Sequence, residues 1–386
     1  MSSTPTTPKR TWRRKLAFAG LLLGLLVGVG LVATELLLRA FGPDLLGVAG
    51  QLRGYYRVDG KGGMEPVPGW QGTMTIHGRT VPIRVDALGM RATESAVQTA
   101  AAQRVLFLGD SMVFGNGVTA DEAFPALVGK SLGVTAGNAG VPGYGPRLAL
   151  RRLRELDKAF APHAIVATVF LGNDFDDDCQ RSYAVVDGYW FFGPMARLAN
   201  QSWRLRMATR SRLWFTVENY LRQSGSPWAM SLDAPPSAEE AAASAGFPSS
   251  RIDGSFLDLE TPTPWVDRAL DTTLESLLAM RDLAGKRPFV VLLMPLVFQL
   301  DDQGYRSNLE RQKLDPALHR RGITQARLLE RCTKAAITTI DLTAVLEREV
   351  AAKHEVHIPG DWHLNQRGHE IVAQEVAKVL GPLLRR

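Results

Sequence analysis

Four short stretches carry the residue types that acyl chemistry needs. Gly109-Asp110-Ser111 places a hydroxyl directly after the apolar run 104–109. Asn138-Ala139-Gly140-Val141-Pro142-Gly143-Tyr144-Gly145 is a glycine-rich turn able to present backbone N–H groups. Gly172-Asn173-Asp174 closes another apolar run, and Asp361-Trp362-His363 sets a carboxylate two residues from an imidazole. Each has a plain reading of its own: a helix cap at Ser111, a strand-to-helix loop at 138–145, a turn at Asn173. Together they supply a nucleophile, a base with its carboxylate, and donors for a carbonyl oxygen that becomes negative. Acyl transfer requires that set. Ser111 is not in a G-x-S-x-G elbow, because position 113 is Val.

The elements that must hold these stretches follow a strand, loop, helix rhythm from residue 104 onward. The runs 104–109, 163–172, 287–295 and 336–342 are short, apolar and rich in β-branched residues, as buried parallel strands are. A further strand should end near Asn138. Amphipathic helices are predicted near 121–132, 146–160, 267–285, 306–331, 343–353 and 366–380. This alternation predicts a three-layer α/β/α sandwich around a mostly parallel sheet. The candidate residues then share the carboxyl edge of the sheet, where open α/β folds bind ligands.

The blocks VLFLGDSMVFGNGV (105–118), NAGVPGYG (138–145), FLGND (170–174) and DWHLNQRGH (361–369) resemble the SGNH (GDSL) hydrolase superfamily, in its membrane-anchored bacterial type. The similarity covers 103–178 and 285–380. It implies an SGNH, flavodoxin-like sandwich and ester cleavage through an acyl-serine. By motif position, Ser111 resembles the nucleophile, His363 the general base and Asp361 the residue that orients it. The backbone N–H of Ser111, that of Gly143 and the side-chain amide of Asn173 resemble the oxyanion hole. The resemblance implies no metal and no organic cofactor. One departure stands out: the usual acid lies three residues before the histidine, where this chain has Gly360. An acid two before it is associated with membrane-anchored, polysaccharide-modifying relatives.

The chain has 386 residues of ordinary globular composition, room for one large domain with attachments or for two. Five of its six net positive charges sit in residues 1–15, so the rest has no polyanion-binding footprint and nucleic acid is not an expected partner. Residues 16–34 follow without one charge; as a helix they span roughly 28 Å, enough for a hydrocarbon core. A signal anchor over 16–38 is expected, a cleaved signal or a soluble helix being the alternatives. The basic tail orients the N-terminus to the cytoplasm. The expected order is therefore a cytoplasmic tail (1–15), the anchor (16–38), a stalk with a small β element (39–100), and the exported hydrolase-like domain (101–386). Met74, Ile76, Val81, Ile83 and Val85 alternate at period two around His77-Gly78, a hairpin signal.

Residues 180–265 fall outside the resemblance. They include an aromatic and arginine-rich stretch with a helix predicted near 196–222, followed by a polar, proline-rich linker at 232–250. That stretch reads as a lid, as a surface resting on the bilayer, or as a helical insertion packed on the sheet edge. Cys179 and Cys332 either pair or are two buried thiols. His354, His357 and His369 lack zinc-ligand spacing and are expected at the surface or at a helix start. Asp174, Asp176, Asp177 and Asp178 lack an EF-hand pattern and are expected to form a solvated acidic loop.

The expected function is an exported, single-pass serine esterase of the inner membrane. It would remove a small acyl group, acetyl first, from a carbohydrate or envelope glycan. An O-acyltransferase would use the same residues with a sugar hydroxyl in place of water, and it would need a membrane partner to donate the acyl group. A non-catalytic scaffold of an envelope-assembly complex is the alternative outside enzymology.

Overall fold

The computed structural model describes residues 11–41, 48–58, 63–93, 103–179, 182–199, 201–231, 235, 238–243, 245 and 253–385. Five parallel strands form the central sheet: β1 (Arg104–Leu108), β2 (Thr135–Asn138), β3 (Ala164–Phe170), β4 (Phe289–Met294) and β5 (Thr338–Asp341). Their order across the sheet is β2-β1-β3-β4-β5. Every pairing is parallel, from Phe107 opposite Asn138 at one edge to Leu293 opposite Asp341 at the other. In this doubly wound order the winding direction reverses between β1 and β3.

Period-two alternation sorts each strand between the two helical layers. Leu106, Leu108, Ile165, Val169, Val291 and Leu293 face the helices Pro146–Phe160, Pro264–Ala284 and Ile323–Lys334 through Leu153, Leu277 and Leu328. Val105, Phe107, Val166, Val290, Leu292 and Ile340 face Phe124–Leu132 and Gln366–Leu384 through Val128, Val372 and Val376. Both faces of the three inner strands are covered, which is why β1, β3 and β4 are apolar runs, whereas the edge strands β2 (TAGN) and β5 (TTID) are not. Each fully buried aliphatic side chain here contributes about 1.5–3 kcal/mol. The three-layer α/β/α sandwich inferred from the sequence is the observed architecture.

Within the segment expected to begin as a stalk, residues from Leu52 to Val85 pack on the sandwich. The hairpin Gln71–Ile76 with Arg79–Arg84 turns at His77-Gly78, as the alternation predicts. Its Met74, Ile76, Val81 and Ile83 join Leu52, Tyr55 and Tyr56 against Phe114, Val141, Tyr144 and Leu148.

Two helical expectations change. The helix predicted at 306–331 is two helices, Asp302–Arg311 and Ile323–Lys334, parted by a segment holding Pro316 and the left-handed Gly322. The helix predicted near 196–222 is three: Gly193–Ala199, Trp203–Arg210 and Arg212–Gln223. Ser202 and Ser211 start the last two, accepting the N–H groups of Leu205 and Trp214 with their hydroxyls. Most of the linker expected at 232–250 lies outside the described residues, which there include a short helix, Ala238–Ala243. No disulfide joins Cys179 and Cys332, and both are buried.

His357 is buried rather than at the surface, and His369, at a helix start as the sequence allowed, is buried as well. His369 packs in the first turn of Gln366–Leu384, where its Nδ1 accepts the Phe124 N–H at 3.3 Å and its ring stacks on Phe124. Burial first, and the nearby Arg91 charge next, push its pKa down from 6.5 to about 3. The unfolded chain therefore takes up this proton first, and the associated stability, complete above pH 6.5, drains as pH falls toward 3. His369→Gln removes that slope. In urea unfolding, wild-type stability relative to the variant should fall by about 1.4 kcal/mol per pH unit across this window. A pH-independent gap would contradict it.

Candidate active site

Ser111 begins the short helix Ser111–Phe114 at the carboxyl end of β1. The turn that delivers it needs Gly109: its φ is +151°, and a Cβ there would lie 2.6 Å from Val113 Cγ2 and 3.1 Å from Thr168 Cβ. Asp110 caps the helix, its Oδ1 accepting the Met112 N–H at 2.9 Å. Burial pushes the Asp110 carboxyl up to about 6, against the lowering pull of that N–H and of His363. Arg91, itself buried, closes the other end. Its guanidinium donates to the carbonyls of Phe114, Gly115 and Val118 and lies 4.7 Å from the Phe114 ring centroid.

A hydrogen-bonded chain runs from the serine through the imidazole to the carboxylate. The Ser111 Oγ to His363 Nε2 distance is 2.8 Å, and His363 Nδ1 lies 2.5 Å from Asp361 Oδ1. Asp361 Oδ1 also accepts the backbone N–H of His363 at 2.9 Å, which fixes the loop on which both sit. Burial would raise the Asp361 carboxyl, but the His363 hydrogen bond and charge outweigh it and hold its pKa below the ordinary value. The two-residue spacing reaches the imidazole because the loop doubles back. Ile358 N–H donates to the His363 carbonyl and Asp361 N–H to that of Ile358, across the left-handed Gly360.

The two other loops follow the neighbouring strands β2 and β3. Asn138 joins the glycine-rich turn to the serine helix, accepting the Gly140 N–H on Oδ1 and donating from Nδ2 to the Val113 carbonyl. The Gly140 N–H is thus engaged. Gly143 sits beyond it at φ +80°, and a Cβ there would lie 3.4 Å from the Trp190 ring. At the end of β3, Asn173 is half-buried and donates one Nδ2 hydrogen to Asp177 Oδ2 at 2.6 Å. His363 thus touches Ser111 on one nitrogen and Asp361 on the other, while Gly143 and Asn173 lie on the loops after β2 and β3.

The stretch 174–178 is not a solvated loop. Asp174 and Asp178 are buried, and Asp174–Asp177 is a short helix. Asp174 Oδ2 accepts the Phe170 N–H at 2.8 Å and Asp178 Oδ1 the Arg147 N–H at 2.9 Å. These carboxylates satisfy backbone donors where a strand ends and a helix begins. Burial, and then Asp110, push the Asp174 carboxyl well above its usual range. Among the described residues no group of His, Cys, Asp or Glu could hold a metal ion.

Three contributors were not singled out from the sequence. The Asn116 Nδ2 lies 3.3 Å from His363 Nε2, beside Ser111. His77, read only as a turn residue, brings its Nε2 to 3.9 Å from Asp361 Oδ2. Arg91 has no local motif at all. Of these only Asn116 lies within a motif block, and its own side chain carries no spacing signal. Next to the histidine loop a cavity of about 480 Å³ is lined by Val297, Phe298, Val356, Ile358, Asp361 and Trp362, among others. That size falls within the range of small-molecule sites.

Protein-family models and curated proteins give no match to this chain. Solved structures do. The lipase/acylhydrolase from Enterococcus faecalis matches at 14% identity and a TM-score of 0.38, over 72% of this chain and 96% of that one. A catalytic mutant of Axe2, an acetylxylan esterase from Geobacillus stearothermophilus, matches at 13% and 0.37, over 73% and 95%. LAE5, an alpha/beta hydrolase enzyme from the metagenome of Lake Arreo, Spain, matches at 13% and 0.37, over 73% and 97%.

Proposed function

We propose that this chain is a membrane-anchored esterase that removes a small acyl group, acetyl first, from a carbohydrate outside the cytoplasmic membrane. The observation that carries the reading is the unbroken Ser111–His363–Asp361 hydrogen-bond chain. In this reading His363 Nε2 takes the Ser111 hydroxyl proton as Oγ attacks the ester carbonyl. The N–H groups of Ser111 and Gly143 and the second Nδ2 hydrogen of Asn173 receive the oxyanion. Collapse breaks the ester bond, and the protonated His363 returns its proton to the departing sugar oxygen. A water, deprotonated by the same nitrogen, then releases the acyl group from Ser111.

Asp361 supports this sequence by keeping the Nδ1 proton in place and by stabilising the imidazolium that forms. The carbohydrate half of the reading rests on the motif resemblance and on the neighbouring cavity, which has room for far more than an acetyl group and presents Trp362 and Phe298. The anchor rests on the helix Thr11–Phe41, of which Trp12–Phe41 is long and apolar enough to cross a membrane.

The test is acetate release from acetylated oligosaccharides by the full chain in detergent. Free acetate in proportion to deacetylated sugar is expected. Acetyl appearing on a second sugar without free acetate would replace hydrolysis by transfer, and no turnover of any acetylated sugar would overturn the carbohydrate assignment.

A further inference from the structure

The apolar helix does not hang free of the domain. Along Thr11–Phe41 the residues from Trp12 to Thr34 are exposed, and only Glu35 and Leu38, one turn apart on one face, are partly covered. Glu35 reaches the start of Arg212–Gln223. Its carboxylate accepts the Leu213 N–H at 2.8 Å, the Arg212 N–H at 3.1 Å and the Ser211 hydroxyl at 2.9 Å. Arg39 pairs with the same carboxylate at 2.6 Å and donates to the Arg210 carbonyl at 2.6 Å. The residue after the last uncharged position of the span thus caps a helix of the domain, at the junction of Trp203–Arg210 and Arg212–Gln223.

These two helices have the composition of a membrane interface. Trp203 and Met207, four apart, are exposed on the first; Val217 and Tyr220, three apart, are exposed on the second, and Trp228 follows at 78%. Residues 203–223 hold five arginines against one glutamate. Aromatic rings with a polar edge, flanked by arginines, suit the headgroup zone of a bilayer. We infer that Trp203–Arg210 and Arg212–Gln223 rest on the lipid headgroups of the bilayer that Thr11–Phe41 crosses, holding the domain against the membrane rather than at the end of a tether. The occupant is lipid because the chain's own apolar helix is clamped to this surface where its uncharged span ends.

The platform also connects to the candidate site. Asp187, at the turn of the hairpin Tyr183–Val186 with Tyr189–Phe192, accepts from Thr209 and Arg210. The same hairpin supplies Trp190, beside Gly143. The inference rests on the membrane-spanning part of the proposed function, so its test separates the two.

Full-length chain in vesicles of phosphatidylcholine and phosphatidylglycerol, labelled with bimane at one introduced cysteine, is compared with and without lipids brominated near the headgroup. Leu26→Cys, with lipids brominated deep in the chains, reports the span; Tyr220→Cys reports the platform; Glu330→Cys, exposed on Ile323–Lys334, is the remote control. Loss of most of the emission is expected at Leu26→Cys and Tyr220→Cys, with none at Glu330→Cys. Quenching at Leu26→Cys alone overturns the platform and leaves the span standing, as a surface reserved for a protein partner would give. No quenching at Leu26→Cys overturns the span and the platform together. Equal quenching at Tyr220→Cys and Glu330→Cys overturns any preferred face.

Discussion

Ser111→Ala should abolish ester turnover, lowering kcat on para-nitrophenyl acetate by on the order of 10⁴–10⁶-fold. The hydroxyl is the atom that His363 Nε2 contacts at 2.8 Å, and among the described residues its other side-chain neighbour, the amide of Asn116 at 3.3 Å, is no nucleophile. The loss should fall on kcat with little change in KM, because the loops that would bind the ester carbonyl are held by other contacts. Asn138 bridges the glycine turn to Val113, and Asp177 holds Asn173. Folding should survive, since Ser111 is half-buried and its helix is capped by Asp110 and Arg91. Unchanged turnover in folded Ser111→Ala would place the chemistry elsewhere.

Asp361→Asn should cost about 10³–10⁴-fold in kcat/KM while leaving the loop folded. The carboxylate Oδ1 accepts both the backbone N–H and the Nδ1 hydrogen of His363, and in the proposed acylation it would stabilise a positive imidazole. An amide is isosteric but neutral. Turned the other way, it donates to Nδ1 and leaves Nε2 protonated, so the imidazole donates to Ser111 instead of accepting from it. A loss below tenfold would mean that Asp361 only shapes the loop. Gly360, at the more common acid position, has no side chain to offer, and the turn at its left-handed φ of +75° is followed by Asp361, which bonds the ring Nδ1.

What was legible in the sequence was what depends on neighbours in the chain. Buried parallel strands must be apolar on both faces, so β3 and β4 read as continuous runs. Pro146 at the first position of its helix fixed that boundary. Loops that leave the same edge of a sheet lie close together, which is why Ser111 and His363, in contact at 2.8 Å, are 252 residues apart yet could be paired from separate stretches. Features that depend on distant partners were not legible. Asp174 looks solvated until the Phe170 N–H claims it, and His369 looks exposed until Phe124 covers it. Tyr55 and Tyr56 have no pattern of their own, yet the wall of the glycine turn needs them: Tyr56 donates to the Pro142 carbonyl at 2.8 Å. Likewise Glu35 is one charge at the end of an apolar run until Leu213 and Ser211 meet it.

An acetyl group carried on Ser111 in the proposed pathway can be trapped. The full chain is mixed with para-nitrophenyl acetate, quenched in acid within the first turnover, and mapped by peptide mass spectrometry. One acetyl group should appear on the peptide holding Ser111, and none on that peptide from Ser111→Ala. Acetyl on His363, or rapid turnover with no acyl-protein at any quench time, would contradict an acyl-serine pathway.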